Sequence, residues 1–196
     1  MTGAVIYALV AGYLLGSIPF GLILTRLAGK GDIREIGSGN IGATNVLRTG
    51  SKKLAALTLL LDAAKGSAAV LLAAALWGRE TMPYAAAGAL IGHLYPVWLR
   101  FRGGKGVATF LGILIPLFGF AALVYALVWL GLLLITRMSS LAGILAGASA
   151  PLTAAIVGRD DLFPMLLGFA VLVIWKHREN IARLRSGDEP RVGQSR

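Results

Sequence analysis

The chain contains no cysteine. That excludes a disulfide framework and any metal site built on thiolates. Histidine is nearly as scarce, with two in 196 residues. Neither stands at ligand spacing from a carboxylate, so no metal or other cofactor is expected. Charged residues make up only 14% of the chain, against about 25% in a soluble globular protein. Apolar residues reach 57% and the mean hydropathy is +0.76. So apolar a composition excludes an ordinary soluble domain, and its continuity excludes disorder. Acidic residues are the rarer sign, 9 against 19 basic, for a net charge of +10. A nucleic-acid binder can carry that balance, but not buried between apolar runs such as 56–61 and 121–135. The class is an integral membrane protein with basic loops. Seven prolines and 26 glycines predict closely packed or broken helices.

A spanning helix needs about 20 apolar residues, or about 17–25 with tilt. Residues 3–27 and 54–77 meet that length, while 84–99, 141–157 and 162–175 are shorter runs bounded by charge or proline. Residues 107–135 are apolar almost throughout, with Pro116 and Gly119 near the middle. Read as a hairpin of two short helices, they give seven spans. The split of Lys and Arg is then 16 on one face and two, Arg79 and Arg159, on the other, with Lys65 inside a span. Read as one helix, they give 10 against 8. The positive-inside rule selects the hairpin. The expected fold is an all-α, seven-helix, single polytopic membrane domain over residues 1–196, N-terminus outside and C-terminus cytoplasmic. Nothing after Met1 resembles a basic n-region, which argues against a cleaved signal peptide.

Polar chemistry gathers on the expected cytoplasmic face, in three clusters. The first, residues 37–48, holds Ser38, Asn40, Thr44, Asn45 and Arg48 among three glycines. Such glycines let backbone N–H groups converge on an anion, and Arg48 can grip a phosphate with two hydrogen bonds. The stretch also fits G-x-G-x-x-G, but a dinucleotide site would need a strand before it and a βαβ unit around it. The second, residues 92–109, holds His93 and the run Gly103, Gly104, Lys105, Gly106 at the start of an apolar helix. Free N–H groups there would meet a bound phosphate. It is not a Walker A loop, because Gly follows Lys105 where Ser or Thr should stand. The third, residues 177–189, holds His177, Asn180 and Glu189 among arginines. Asp62 and Lys65 share one helical face inside a span, a placement that marks function by default. Arg137 and Ser140 form the last cytoplasmic turn and could complete a phosphate site.

Plain structural readings stand beside these. The first cluster could be an interfacial loop anchored by arginine, His93 a core histidine, and the third an amphipathic end attracted to anionic lipid. Asp62 and Lys65 could be a structural ion pair. There is no G-x-S-x-G elbow and no H-x-x-x-x-D acyltransferase pattern. Composition and spacing stop at an anion-binding membrane protein that handles a lipid or phosphate compound. A small transporter of an anionic phosphate metabolite, or a subunit binding anionic lipid, stays open at this level.

The clusters resemble the three motifs of the bacterial acyl-phosphate:glycerol-3-phosphate acyltransferase (PlsY) family. Residues 38–48 match S-G-N-x-G-A-T-N-x-x-R at every fixed position. Residues 92–109 match G-H-x-x-P-V-F-L-x-F-K-G-G-K-G-V-A-T except at Trp98 and Arg102, and residues 177–189 match H-R-x-N-I-x-R-L-x-x-G-x-E. The resemblance runs in order along essentially the whole chain. It implies transfer of a fatty acyl group from acyl phosphate to the 1-hydroxyl of glycerol 3-phosphate, giving lysophosphatidate and phosphate. By the same resemblance Ser38 and Arg48 are expected to be catalytic. His177, Asn180 and Glu189 are expected to complete and maintain the catalytic set, and the second-motif glycines to bind glycerol 3-phosphate. With them, Asn40, Thr44, Asn45, Lys65, His93, Gly103, Gly104, Lys105, Gly106, Arg137 and Ser140 form the expected substrate-binding set. The partners implied are the two substrates and membrane lipid, in the bacterial inner membrane with the site facing the cytoplasm. The base stays open between His93, His177 and a phosphate oxygen of the donor. Ser38 reads better as a hydrogen-bonding group than as a nucleophile, since no His or Lys stands near it in sequence.

Overall fold

The computed structural model describes residues 2–193. Arg196, counted above in the basic tail, lies outside the described residues. Regular structure among the described residues is entirely helical. In chain order the helices are α1 (Thr2–Gly16), α2 (Phe20–Leu27), α3 (Ala43–Leu47), α4 (Lys52–Trp77), α5 (Met82–Leu94), α6 (Val107–Leu117), α7 (Gly119–Thr136), α8 (Ser139–Val157), α9 (Phe163–Lys176) and α10 (Arg178–Ser186).

Local chemistry sets the boundaries. Ser51 opens α4 by accepting a hydrogen bond from the Leu54 N–H at 3.2 Å, and Gly78 closes it at φ 96°. Proline stands at the first turn of α5 and of α9, where its missing N–H costs nothing. The run 107–135 is not one helix: α6 carries Pro116, and Phe118 takes φ −155° before α7 begins. The run 3–27, expected as one span, is broken as well, with Ser17, Ile18 and Pro19 between α1 and α2. Hydropathy is continuous across that break, so only Pro19 signals it.

Four stretches are long and apolar enough to cross a membrane: Thr2–Leu27, Lys52–Trp77, Gly119–Thr136 and Ser139–Val157. At about 1.5 Å per residue the 26 residues of α4 extend about 39 Å, beyond a hydrocarbon core of about 30 Å. Leu60, Leu76, Leu127, Leu134 and Ile156 are exposed, as side chains facing lipid should be.

The chain divides into two compact units, Met1–Leu117 and Phe118–Arg196. In the first, α1 and α5 pack backbone to backbone through two small-residue pairs. Cβ atoms on Gly12 and Gly16 would meet the backbones of Ala85 and Ala89, and on Gly88 and Gly92 those of Leu9 and Tyr13. Helices surrounded by lipid gain little from apolar burial between them, so close van der Waals approach does the work. In the same way α4 meets α6, with Gly66 against the Thr109 carbonyl and Gly112 against that of Ala63. In the second unit α8 buries Ala142, Ala146, Ala150 and Ala154 completely, one residue per turn, and packs between α7 and α9.

Candidate active site

The first cluster leaves α2 through a 3-10 turn over Ile33–Glu35, whose N-cap Asp32 accepts from the Arg34 N–H at 3.0 Å. The Arg34 guanidinium, with help from Arg26, holds the Asp32 carboxyl well below the usual carboxylate range. Beyond this turn Gly37 and Gly39 take φ 56° and 66°, and the short α3 follows. Asn45 on α3 is 2% exposed. Its amide nitrogen donates to the carbonyls of Ile33 at 2.6 Å and Ile36 at 3.1 Å. Its Oδ1 accepts from the Ser38 N–H at 3.2 Å, the Ser38 hydroxyl at 3.4 Å and Arg48 Nη1 at 3.5 Å. Ser38 and Arg48 are themselves exposed. Asn40 is used locally, its Oδ1 accepting from the Gly42 N–H at 2.9 Å, while the Gly39 N–H donates to the Ile36 carbonyl. The N–H groups of Ser38, Gly39 and Gly42 thus have partners inside the loop. This differs from the expectation that they converge on an anion. The outward polar groups near them are the Ser38 hydroxyl and the Arg48 guanidinium.

The second cluster behaves alike. α5 ends at Leu94, and Tyr13 fixes the chain beyond it, its hydroxyl donating to the Tyr95 carbonyl at 2.9 Å and accepting from the Val97 N–H at 3.1 Å. Trp98 Nε1 donates to the Ser17 carbonyl at 2.8 Å. The chain then folds back on α5. The Gly103 N–H donates to Leu94 O at 3.2 Å and the Gly104 N–H to His93 O at 3.0 Å. Two of the N–H groups expected to meet phosphate are therefore spent on the end of α5. The glycines serve close approach instead: a Cβ on Gly103 would strike the His93 carbonyl, and one on Gly104 the His93 ring. Lys105 is half-buried, and Gly106, at φ 88°, opens α6 by accepting from the Phe110 N–H at 2.8 Å.

His93 also stands beside the intramembrane pair. Lys65 Nζ lies 2.7 Å from Asp62 Oδ1, and His93 Nδ1 lies 3.8 Å from the same oxygen, all three residues being buried. Lys65 donates as well to the Ile18 carbonyl at 2.8 Å. That carbonyl lies in the break before Pro19, where it also accepts from the Phe20 N–H at 3.1 Å, and a cation from α4 completes it. Lys65 was expected to bind substrate; here its ammonium is occupied in joining α4 to the broken first span.

In the second unit, Glu189 receives Asn180 Nδ2 at 2.6 Å and Arg183 Nε at 2.8 Å. Burial pushes the Glu189 carboxyl up, but its polar neighbours, with the hydrogen bonds from Asn180 and Arg183 among them, outweigh it and leave it below its ordinary value. Glu189 therefore ties the tail to α10 through Asn180 and Arg183, while Ser140, on α8, is buried with no hydrogen-bond partner on its hydroxyl. His177 sits buried at the α9–α10 junction with Nδ1 2.7 Å from the Val173 carbonyl. That contact places the hydrogen on Nδ1, so in the neutral ring Nε2 is the acceptor. Arg137, expected at a phosphate, instead donates through Nε and Nη2 to the Val192 carbonyl at 3.2 and 2.9 Å, while its own carbonyl accepts the Val192 N–H at 2.7 Å. Thr44 is exposed on α3. Tyr13 and Asp32 shape these loops with no motif to announce them. Among the described residues no group of three or more His, Asp or Glu could hold a metal ion.

Comparison with known proteins places this geometry. The glycerol-3-phosphate acyltransferase family model matches residues 6–187. A glycerol-3-phosphate acyltransferase of Rhodopseudomonas palustris (strain BisB5) is 55% identical over 196 residues, 100% of both chains. One of Agrobacterium fabrum (strain C58 / ATCC 33970) is 57% identical over 187 residues, 95% of this chain and 91% of its own. The crystal structure of PlsY (YgiH), an integral membrane glycerol 3-phosphate acyltransferase, in its glycerol 3-phosphate form superposes with a TM-score of 0.91 at 41% identity, covering 97% of this chain and 96% of that one. Its lysophosphatidic acid form gives 0.88 over 96% and 95%. The chain belongs to the glycerol-3-phosphate acyltransferase family and is a membrane acyltransferase.

Proposed function

We propose that the chain transfers a fatty acyl group from acyl phosphate to the 1-hydroxyl of glycerol 3-phosphate, releasing lysophosphatidate and inorganic phosphate. The observation that carries this reading is the pairing of an exposed hydroxyl, Ser38, with an exposed guanidinium, Arg48, on one buried amide at the polar end of lipid-facing helices. The similar PlsY structure in glycerol 3-phosphate and lysophosphatidic acid forms supports the acceptor and product.

The acyl tail stays among apolar helix faces while its phosphate reaches the loop. Arg48 offsets the charge on the reacting phosphate, and Ser38 fixes an oxygen by hydrogen bonding. The substrate hydroxyl forms a bond to the acyl carbon as the bond from that carbon to the phosphate oxygen breaks. The hydroxyl proton passes to the departing phosphate or to water. The donor is already activated, so positioning and charge neutralisation suffice. An amide oxygen is too weak a base to activate Ser38 for attack, so its part is a hydrogen bond rather than a covalent intermediate. The second-motif loop, with Lys105 on it, holds glycerol 3-phosphate through its side chain and its shape. Glu189 and Asn180 keep the α9–α10 end in one geometry, and the excess of Lys and Arg in the loops that carry the clusters supports a site at the cytoplasmic face of the inner membrane.

The test uses purified protein, radiolabelled glycerol 3-phosphate and palmitoyl phosphate. Labelled lysophosphatidate is expected, undiminished by EDTA. No product from palmitoyl phosphate, or equal product from palmitoyl-CoA, overturns the acyl-phosphate reading.

A further inference from the structure

Asn45 reads, on residue type alone, as one more substrate-binding amide. Its surroundings give it a different task. The side chain is buried beneath two exposed groups, and both its donors and its acceptor already have protein partners. Donation to the carbonyls of Ile33 and Ile36 fixes which way the amide points, since an amide turned over would set its oxygen against those carbonyl oxygens. Only one orientation remains, with Oδ1 toward Ser38 and Arg48.

Three donors then share that oxygen: the Ser38 N–H, the Ser38 hydroxyl and Arg48 Nη1, at 3.2, 3.4 and 3.5 Å. The last two exceed the usual range of about 2.5–3.0 Å for O–H···O and about 2.7–3.2 Å for N–H···O, while the Ser38 N–H stands at the edge of it. The hydroxyl and guanidinium are aimed by the amide without being saturated, so a phosphate or carbonyl oxygen can draw them away cheaply. Gly37 makes the closure possible. A Cβ there would collide with the Arg48 guanidinium and approach Asn45 Oδ1 to 2.7 Å.

We infer that Asn45 is a positioning residue that sets Ser38 and Arg48 as a matched pair through one carbonyl oxygen and does not itself contact substrate. The inference rests on the proposed acyl transfer at this site. It makes the 38–48 loop a single device, in which the buried amide is the hinge pin and the two exposed groups are the working faces.

The experiment is a set of kinetic cycles on the full-length protein. Asn45→Ala is expected to lower kcat about tenfold to a hundredfold with KM for both substrates within about threefold. Placed on Ser38→Ala or on Arg48→Ala, the same change should cost clearly less than it does in the parent, because one of the two groups it serves is already gone. Full multiplication in both backgrounds, or a raised KM, would mean that Asn45 touches substrate and would overturn the inference. So would normal kinetics in a folded Asn45→Ala protein, which would leave the amide only a structural part. If Asn45→Ala does not fold, Asn45→Gln keeps an amide that can donate to the Ile33 and Ile36 carbonyls but moves its oxygen; its loss of kcat should shrink on Arg48→Ala, and full multiplication there overturns the inference. A second readout needs no turnover. Because the chain lacks cysteine, a spin label on Ser38→Cys reports the loop alone. It should become more mobile when Asn45→Ala is added, and unchanged mobility overturns the inference even if the acyl-phosphate reading itself has failed.

Discussion

Arg48 and Gly104 show how differently two residues of similar apparent importance act. Arg48 is exposed and held by one long hydrogen bond, so its charge is available to a ligand. Arg48→Ala should lower kcat about a hundredfold or more, about 3 kcal/mol of transition-state stabilisation, while thermal unfolding in detergent stays near that of the parent. Near-normal kcat in a folded variant would remove Arg48 from the chemistry. Gly104 is different because its N–H is spent on His93 O and its missing Cβ leaves room for the His93 ring. Gly104→Ala should therefore raise the KM for glycerol 3-phosphate by displacing the loop. Combining it with His93→Ala should cost less than the product of the single effects, since the collision is gone. Strict multiplication would show that the two residues act separately. Residue types in these loops were legible in the sequence, but which atoms the loop itself consumes was not. An N–H that donates to a carbonyl on a preceding helix reads, in sequence, like one turned outward.

Helices here are joined by two kinds of contact, and each responds to mutation in its own way. Where α1 meets α5, Cβ atoms have nowhere to go: one on Gly16 would fall 2.6 Å from Ala89 Cα, and backbone cannot step aside. Gly16→Ala should lower stability by about 1–3 kcal/mol, the usual cost of overpacking, and reduce folded yield. Gly131→Ala and Gly168→Ala meet nothing within 4 Å. As helical glycines they should be neutral or stabilise by up to about 1 kcal/mol. Thermal unfolding of the three variants side by side checks the contrast, and equal loss in all three would refute the close-packing account. The tail is held differently, by Glu189 between Asn180 and Arg183. Glu189→Gln weakens a charge-assisted, buried hydrogen-bond group, a loss of about 1–3 kcal/mol at pH 7. Because the folded carboxyl lies below its ordinary value of 4.5, this stabilisation is complete above that pH and fades as pH falls through the depressed folded value. The gap in Tm between wild type and Glu189→Gln should therefore close on acidification. A gap that persisted or widened in acid would assign the stabilisation to something other than the ionised carboxylate.

Across the whole chain, composition and apolar runs were enough to read a helical membrane protein, because each span must satisfy its own backbone. The interruption near residues 116–119 was legible from Pro116 and Gly119. The break at Ser17–Pro19 was hidden by unbroken hydropathy, and the cation that caps it, Lys65, comes from 47 residues away. Long-range pairing of that kind leaves no periodic mark. Direction through the membrane rests on charge alone. If α6 and α7, which are separate helices, form a hairpin, the expected seven crossings put 16 of the 19 Lys and Arg on one side. Placing so many cations on the translocated side would oppose the bias that orients insertion. The absence of cysteine makes the test clean. A thiol introduced by Glu80→Cys should react with a membrane-impermeant maleimide in intact spheroplasts. One introduced by Arg102→Cys should react only after permeabilisation, and a reporter fused to the C-terminus should give a cytoplasmic signal. The informative pair is Arg102 and the C-terminus, because a two-helix passage between residues 107 and 135 returns the chain to its starting side and a single helix does not. Both on the cytoplasmic side establishes the hairpin. Opposite sides would mean a single crossing despite the interruption at Phe118, with the third cluster, His177 to Glu189, on the face away from Ser38 and Arg48. That outcome would also remove His177, Asn180 and Glu189 from the catalytic set that the resemblance implies.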